Sequence, residues 1–335
     1  MSGATATAPA PARGEARVSA AGIRALLRDR PAIPLAILLG ILIVMSEIVR
    51  PGTVDANWAS VIIRTAVPLA ILAGAQTLTM LTGGIDLSVG AVASMSGFVV
   101  ATLVGDMGFM SAILVAIAAA ALAGLMTGIG VGIFRVHPLI MTLAMSLVVL
   151  GLANVWQLQN VQTGSGVPPE LRTLGAGFTF GIIPNSFVVF IPIALLILFG
   201  LRRTGYGRML YAIGDNPVAA RLSGAKSWQI LLLLYIISAV MAGIAGFLLS
   251  GATNTASVTL ANSLLLPSVA AAVIGGTSIL GGRGGYGGTI LGALILTVVT
   301  ALLNSLGFKE ADRLILFGAI IVLVAAAYTR VTSES

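Results

Sequence analysis

The stretch SWQILLLLYIISAVMAGIAGFLLSG, Ser227 to Gly251, holds 25 residues without a single charge. As an α-helix rising 1.5 Å per residue it is long enough to cross the roughly 30 Å hydrocarbon core of a bilayer. Working outward, the same kind of run recurs along the chain. Spans are expected near 32–50, 59–82, 87–105, 110–134, 138–159, 185–201, 227–251, 264–280, 286–306 and 313–329. Composition agrees: 58% of the 335 residues are hydrophobic and 9% are charged. Soluble domains carry about 25% charged residues. The reading is an all-α integral membrane protein of about ten transmembrane helices.

Charge placement orients it. Ten spans put both termini on one side, and the Lys/Arg excess marks the cytoplasmic one. With the tail inside, the inner segments hold Arg13, Arg17, Arg24, Arg28, Arg30, Arg135, Arg202, Arg203, Arg208, Arg221, Lys226, Arg283 and Arg330; the outer ones hold Arg50, Arg172, Lys309 and Arg313. Arg64 lies in the second span near its outer end. Both termini are therefore expected in the cytoplasm. Residues 1–30 read as a disordered basic tail, 31–330 as the membrane domain and 331–335 as a short second tail. The net charge of +7 is spread between apolar runs rather than gathered in a basic domain with interleaved aromatics, which excludes nucleic acid. A chain without cysteine and with one histidine, His137, has little from which to build a metal site.

Two connections are long. Residues 160–184 are rich in Gly, Pro and Thr and face outside. Residues 202–226 face inside and are the most basic internal stretch. Within the latter, Asp215 or Asn216 can cap a helix that Pro217 opens and Gly224 closes. The product is a two-turn helix on the cytoplasmic face with Arg221 pointing outward, suited to docking a soluble partner; the alternative is a helix resting on lipid headgroups.

A second motif, Leu81-Thr-Gly-Gly-Ile-Asp86-Leu-Ser88-Val-Gly90, puts an acid among glycines between apolar runs. Asp86 either caps a helix starting at Leu87 or belongs to a broken-helix lining of a pathway, because irregular backbone at membrane depth survives only beside protein or water. A third, Ile274 to Gly288, carries the spacing G-x-G-x-x-G at Gly282, Gly284 and Gly287. No strand precedes it and an apolar span follows, so it reads as a cytoplasmic turn, not a dinucleotide site. Gly124, Gly128 and Gly132, and likewise Gly288 and Gly292, have the spacing of close helix contacts. Candidate pathway residues are Gln76, Asp86, Ser88, Asn154, Asn254 and Asn262. Such a sparse set suits a neutral polar solute better than an ion-coupled pump, which uses acids and histidines as relays.

At these motifs the chain resembles the permease subunits of ribose/xylose/galactoside-type ABC sugar importers. The resemblance rests on Gly83-Gly84-Ile85-Asp86-Leu87-Ser88-Val89-Gly90, on Tyr211-Ala-Ile-Gly214-Asp215-Asn216-Pro217 with Ala220-Arg221-Leu-Ser-Gly224, and on Val273 to Ser278 with Gly281 to Gly284. It covers about residues 35–330. It implies a homodimer or related heterodimer of permease subunits in the inner membrane, a cytoplasmic double-cassette ATPase that binds the ATP and magnesium, and an extracytoplasmic sugar-binding protein. It also implies that Tyr211, Gly214, Asp215, Asn216, Pro217, Arg221 and Gly224 form the ATPase-coupling segment, and that the chain holds no cofactor and catalyses no reaction of its own. One departure stands out. Many relatives carry an acidic Gly-x-Gly-x-Glu-Leu-Asp-type stretch where this chain reads Thr259 to Ser268 without acids, so a ribose assignment does not transfer. A nucleoside, a signalling furanose or a branched-chain amino acid is the alternative cargo, and an ion-coupled secondary transporter the alternative class.

Overall fold

A computed structural model describes residues 32–160 and 166–333, with the side chains of the last helix described as far as Val322. The expected basic tail at 1–30 lies outside the described residues. Among the described residues, thirteen α-helices follow one another: α1 (Ala32–Val49), α2 (Ala56–Leu81), α3 (Val89–Met107), α4 (Phe109–Gly132), α5 (Pro138–Asn160), α6 (Pro169–Ala176), α7 (Asn185–Arg203), α8 (Gly205–Asp215), α9 (Pro217–Leu222), α10 (Ser227–Thr253), α11 (Leu265–Ile274), α12 (Tyr286–Ser305) and α13 (Glu310–Ser333). A two-stranded hairpin, β1 (Phe178–Thr179) and β2 (Ile183–Pro184), joins α6 to α7.

Among the described residues, eight helices are long and apolar enough to span a membrane: α1 to α5, α7, α10 and α12. Their ends fall within three residues of those expected from hydropathy. The span expected at 264–280 is shorter than hydropathy predicts. Its helix, α11, has only ten residues and follows a 3₁₀ turn at Leu260–Leu264. It stops because Gly276, at φ +88°, takes the left-handed closing position. The Gly276 N–H then bonds Val273 O and the Thr277 N–H bonds Ala272 O, the paired closure that ends a helix. The span expected at 313–329 begins earlier, at Glu310, and stands outside the eight; it continues to Ser333, through most of the expected second tail.

The middle of the protein is α2 and α10. Every residue of α2 from Ala66 to Leu81 is buried, as a helix enclosed on all sides must be. α10 packs on α4, α2, α3 and α6, while α12 packs on α11, α2 and α1. The glycine spacings work as expected from sequence. A Cβ at Gly128 would lie 2.8 Å from Leu232 Cα and one at Gly132 would lie 2.9 Å from Trp228 O, so α4 and α10 meet backbone to backbone. Gly288 and Gly292 press in the same way on Gly275 and Ala271.

Two irregular segments enter this packed interior. α3 begins opposite the middle of α10, where Asp86 meets Ser238, and runs beside it so that Ala93 lies on Gly246 and Gly97 on Ser250. After α10 the chain turns back, and the 3₁₀ turn reaches the start of α3, where the Ala261 N–H bonds Ser94 Oγ at 2.9 Å. Helix α6 was not expected. Its Leu171 and Gly175 seat against the α10 backbone at Gly251 and Leu248. Arg64 donates to Ala176 O at 3.0 Å and lies over the Phe178 ring, which accounts for a cation within a span.

Candidate functional site

The segment after α7 folds as two short helices rather than one. Thr204 caps α8 by accepting the Gly207 N–H at 3.1 Å. Of the two candidate caps for the next helix, Asn216 has the role. Its Oδ1 accepts the N–H groups of Val218 at 3.0 Å and Ala219 at 2.9 Å, and Pro217 occupies the first helical position. Asp215 ends α8 and is exposed. Gly224, at φ +85°, closes α9: its N–H bonds Arg221 O and the Ala225 N–H bonds Ala220 O. Ala220 is the one buried residue of α9, whereas Leu222 is 84% and Val218 54% exposed. Arg221 is also exposed, its Nε returning to Pro217 O at 3.2 Å. A six-residue helix held rigidly at both ends thus presents two apolar side chains and a cation outward.

The three motifs meet beneath it. α2 closes at Gly83 (φ +78°), whose N–H bonds Met80 O while the Gly84 N–H bonds Thr79 O. That leaves Leu81 O free to accept the Gly282 N–H at 3.0 Å. Gly214 lies against the same carbonyl and against Gly282 N, with no room for a Cβ. Gly281 (φ +92°) fits between Gly214 O and Gly83 N, and Gly282 (φ +71°) lies on Asp215. Tyr211 fastens the edge by donating to Gly284 O at 2.9 Å; burial pushes its phenol up, with Arg202 opposing, so it remains a neutral donor. Residues 81–84, 211–215 and 281–284 are therefore one backbone junction, and this contact explains why each motif is built on glycine. Gly214→Ala is expected to force the junction apart at a cost of about 1–3 kcal/mol. It should lower the unfolding temperature of the purified protein in detergent, with Gly285→Ala, where a Cβ meets little, as the comparison.

Gln76, Asp86 and Ser88 come together next to the junction, fully enclosed. The helix after the break starts at Val89, with Ser88 preceding it, so Asp86 does not cap a helix at Leu87. Instead its Oδ1 accepts from Ser88 N (2.9 Å) and Ser88 Oγ (2.6 Å), and its Oδ2 accepts from Ser238 Oγ (2.8 Å). Gln76 bonds the Asp86 backbone in both directions, at 2.7 Å to its O and 3.2 Å from its N. Thr142 donates to Ile85 O at 3.2 Å. Four helices, α2, α3, α5 and α10, are tied to the break by this network. Its side chains are buried at 0–4% exposure, so in this structure they tie the helices together out of contact with solvent.

The other three pathway candidates lie apart. Asn154 is exposed on α5 and bonds back to Leu150 O. Asn254 is the left-handed cap of α10. Asn262, exposed in the 3₁₀ turn, adjoins Gly90 at the start of α3.

Residues 59–325 match the family described as branched-chain amino acid transport system / permease component. The chain belongs to that family. Among similar proteins, the fructose import permease protein FrcC of Rhizobium meliloti is 32% identical over 302 residues, covering 88% of this chain and 84% of the relative. The ribose import permease protein RbsC of Bacillus subtilis (strain 168) is 33% identical over 294 residues, covering 87% and 90%. A probable ABC transporter permease protein, y4mJ of Sinorhizobium fredii, is 32% identical over 292 residues, covering 86% of each. No solved structure gives a significant match. The matched region of this permease begins in α2 and ends in α13, so it takes in the junction, the Asp86 network and the whole α8–α9 segment. The permease is a multi-pass membrane protein, and the ladder of apolar helices and the family agree on it.

Proposed function

We propose that this permease is the membrane-spanning subunit of an ATP-driven importer for a monosaccharide. The single observation that carries this reading is the likeness, over most of both chains, to fructose and ribose import permeases. The rest of the importer follows from the resemblance and from the chain's chemistry. No nucleotide motif is recognisable in the sequence, so a separate cytoplasmic ATPase supplies the energy and docks on α9 through Val218, Arg221 and Leu222. A second copy, or a related subunit, completes the membrane part, and an extracytoplasmic binding protein delivers the solute. The topology has ten passages, the eight long helices plus the 3₁₀–α11 segment and α13, with both termini cytoplasmic. That arrangement keeps α9 on the basic inner side and the hairpin at 178–184 outside.

One observation favours a second cargo: the family takes its description from branched-chain amino acid transport. The two readings part in uptake by proteoliposomes holding the permease, its ATPase and its binding protein. The sugar reading requires ATP-dependent accumulation of labelled fructose, ribose or another monosaccharide. Accumulation of leucine, isoleucine or valine with no sugar taken up would replace it.

A further inference from the structure

A groove of about 440 Å³ lies between the first half of α2, the start of α11, the second half of α12 and the first turns of α13. Its size is within the roughly 300–1,000 Å³ usual for small-molecule sites. The walls carry Thr65, Ser263, Thr297, Thr300, Asn304 and Arg313, and the apolar residues Leu69, Leu296 and Phe317 also line it. The threonine hydroxyls spend their protons on their own helices: Thr65 on Val61 O, Thr297 on Ala293 O and Thr300 on Leu296 O, all within 2.7–2.8 Å. Their oxygens remain free as acceptors. Donors are supplied by the Asn304 amide and the Arg313 guanidinium, both on the wall of the groove. Arg313 and Glu310 bring charges of both signs to one end of the groove, so its net field favours neither ion.

Interleaved acceptors and donors on an apolar base match the hydroxyl groups of a neutral polyol. Polar groups at membrane depth also need protein or water rather than lipid beside them. We infer that this groove is a binding site for a neutral polyhydroxylated solute at the outward end of the permease. The inference rests on the importer reading above. It adds the place where the solute first meets the permease: α12 contributes Thr297, Thr300 and Asn304, at spacings of three and four residues, as one polar stripe.

The chain has no cysteine, which allows a test without background. Thr300→Cys and Asn304→Cys would each be reconstituted with the ATPase and binding protein, with Leu195→Cys, 61% exposed on α7, as the lipid-facing comparison. A charged, membrane-impermeant methanethiosulfonate should label the two groove cysteines at least about tenfold faster than Leu195→Cys, as water access requires. Labelling should cut uptake of ribose or fructose at least about tenfold, and either sugar should slow the labelling several-fold. Reaction with a lipophilic maleimide alone would mark the groove as lipid-filled and overturn the inference. So would labelling that leaves uptake unchanged. If the unlabelled importer carries neither sugar, the functional reading fails separately. The groove is then decided by ribose, fructose or glycerol: protection supports it, and labelling without protection by any of them overturns it.

Discussion

Leu222→Asp is expected to release the ATPase from this permease while leaving the permease folded. Leu222 is the most exposed large apolar side chain of α9, and Val218 stands one turn before it. Neither contributes to the core, which α9 reaches only through Ala220. Truncating a central anchor at an interface costs roughly 2–4 kcal/mol, or about 30- to 1,000-fold in affinity. An acid placed there adds desolvation to that loss. Arg221→Glu reverses the one cation of the helix and should act in the same direction. The measurement is capture of the ATPase by the tagged permease, with the unfolding temperature of the permease followed in parallel. Unchanged capture by both variants would remove α9 from the docking surface.

The second large effect is expected at Asp86. Replacing it with Ala strands Ser88 N, Ser88 Oγ and Ser238 Oγ inside the protein. A buried donor left unsatisfied costs about 1–3 kcal/mol, so three approach the 5–15 kcal/mol that holds a typical fold together. Asp86→Ala should therefore give little folded protein. Asp86→Asn, which keeps one oxygen acceptor, should be milder, and Ser238→Ala, which removes a single donor, milder still. The ordering is read from yield and unfolding temperature in detergent. A stable Asp86→Ala protein that has lost only uptake would contradict this tying role and return Asp86 to the solute path.

Why some of this was legible in sequence and some was not comes down to the range of each signal. Hydropathy is local, and it placed eight helices to within three residues. The same window overran α11, because it scores Ile279 and Leu280 as apolar while being blind to the left-handed turn at Gly276. Helix α6 has its own local marks, Pro169 at the start, Glu170 in the first turn and Gly177 after the end, but the Gly/Pro/Thr-rich composition around them reads as loop. The cap at Asn216 and the closure at Gly224 were readable because capping needs only neighbours in sequence. The junction was not. Leu81, Gly214 and Gly282 are more than sixty residues apart, and nothing local says that the glycines of one motif are reserved for the backbone of another. Asp86 was recognised as unusual, but Ser238, the partner that satisfies it, carries no mark in the sequence. The groove sits between these cases: its stripe on α12 has a helical period, whereas the facing Thr65 and Arg313 come from helices that only the fold brings together.

The most direct test of the central claim asks where the energy comes from. Proteoliposomes would carry the permease with its ATPase and binding protein, and labelled fructose or ribose would be followed with ATP inside and no ion gradient. A matching set would hold the permease alone under a proton or sodium gradient. The account predicts accumulation in the first set, its loss with Leu222→Asp, and none in the second. Gradient-driven accumulation by the permease alone would contradict it.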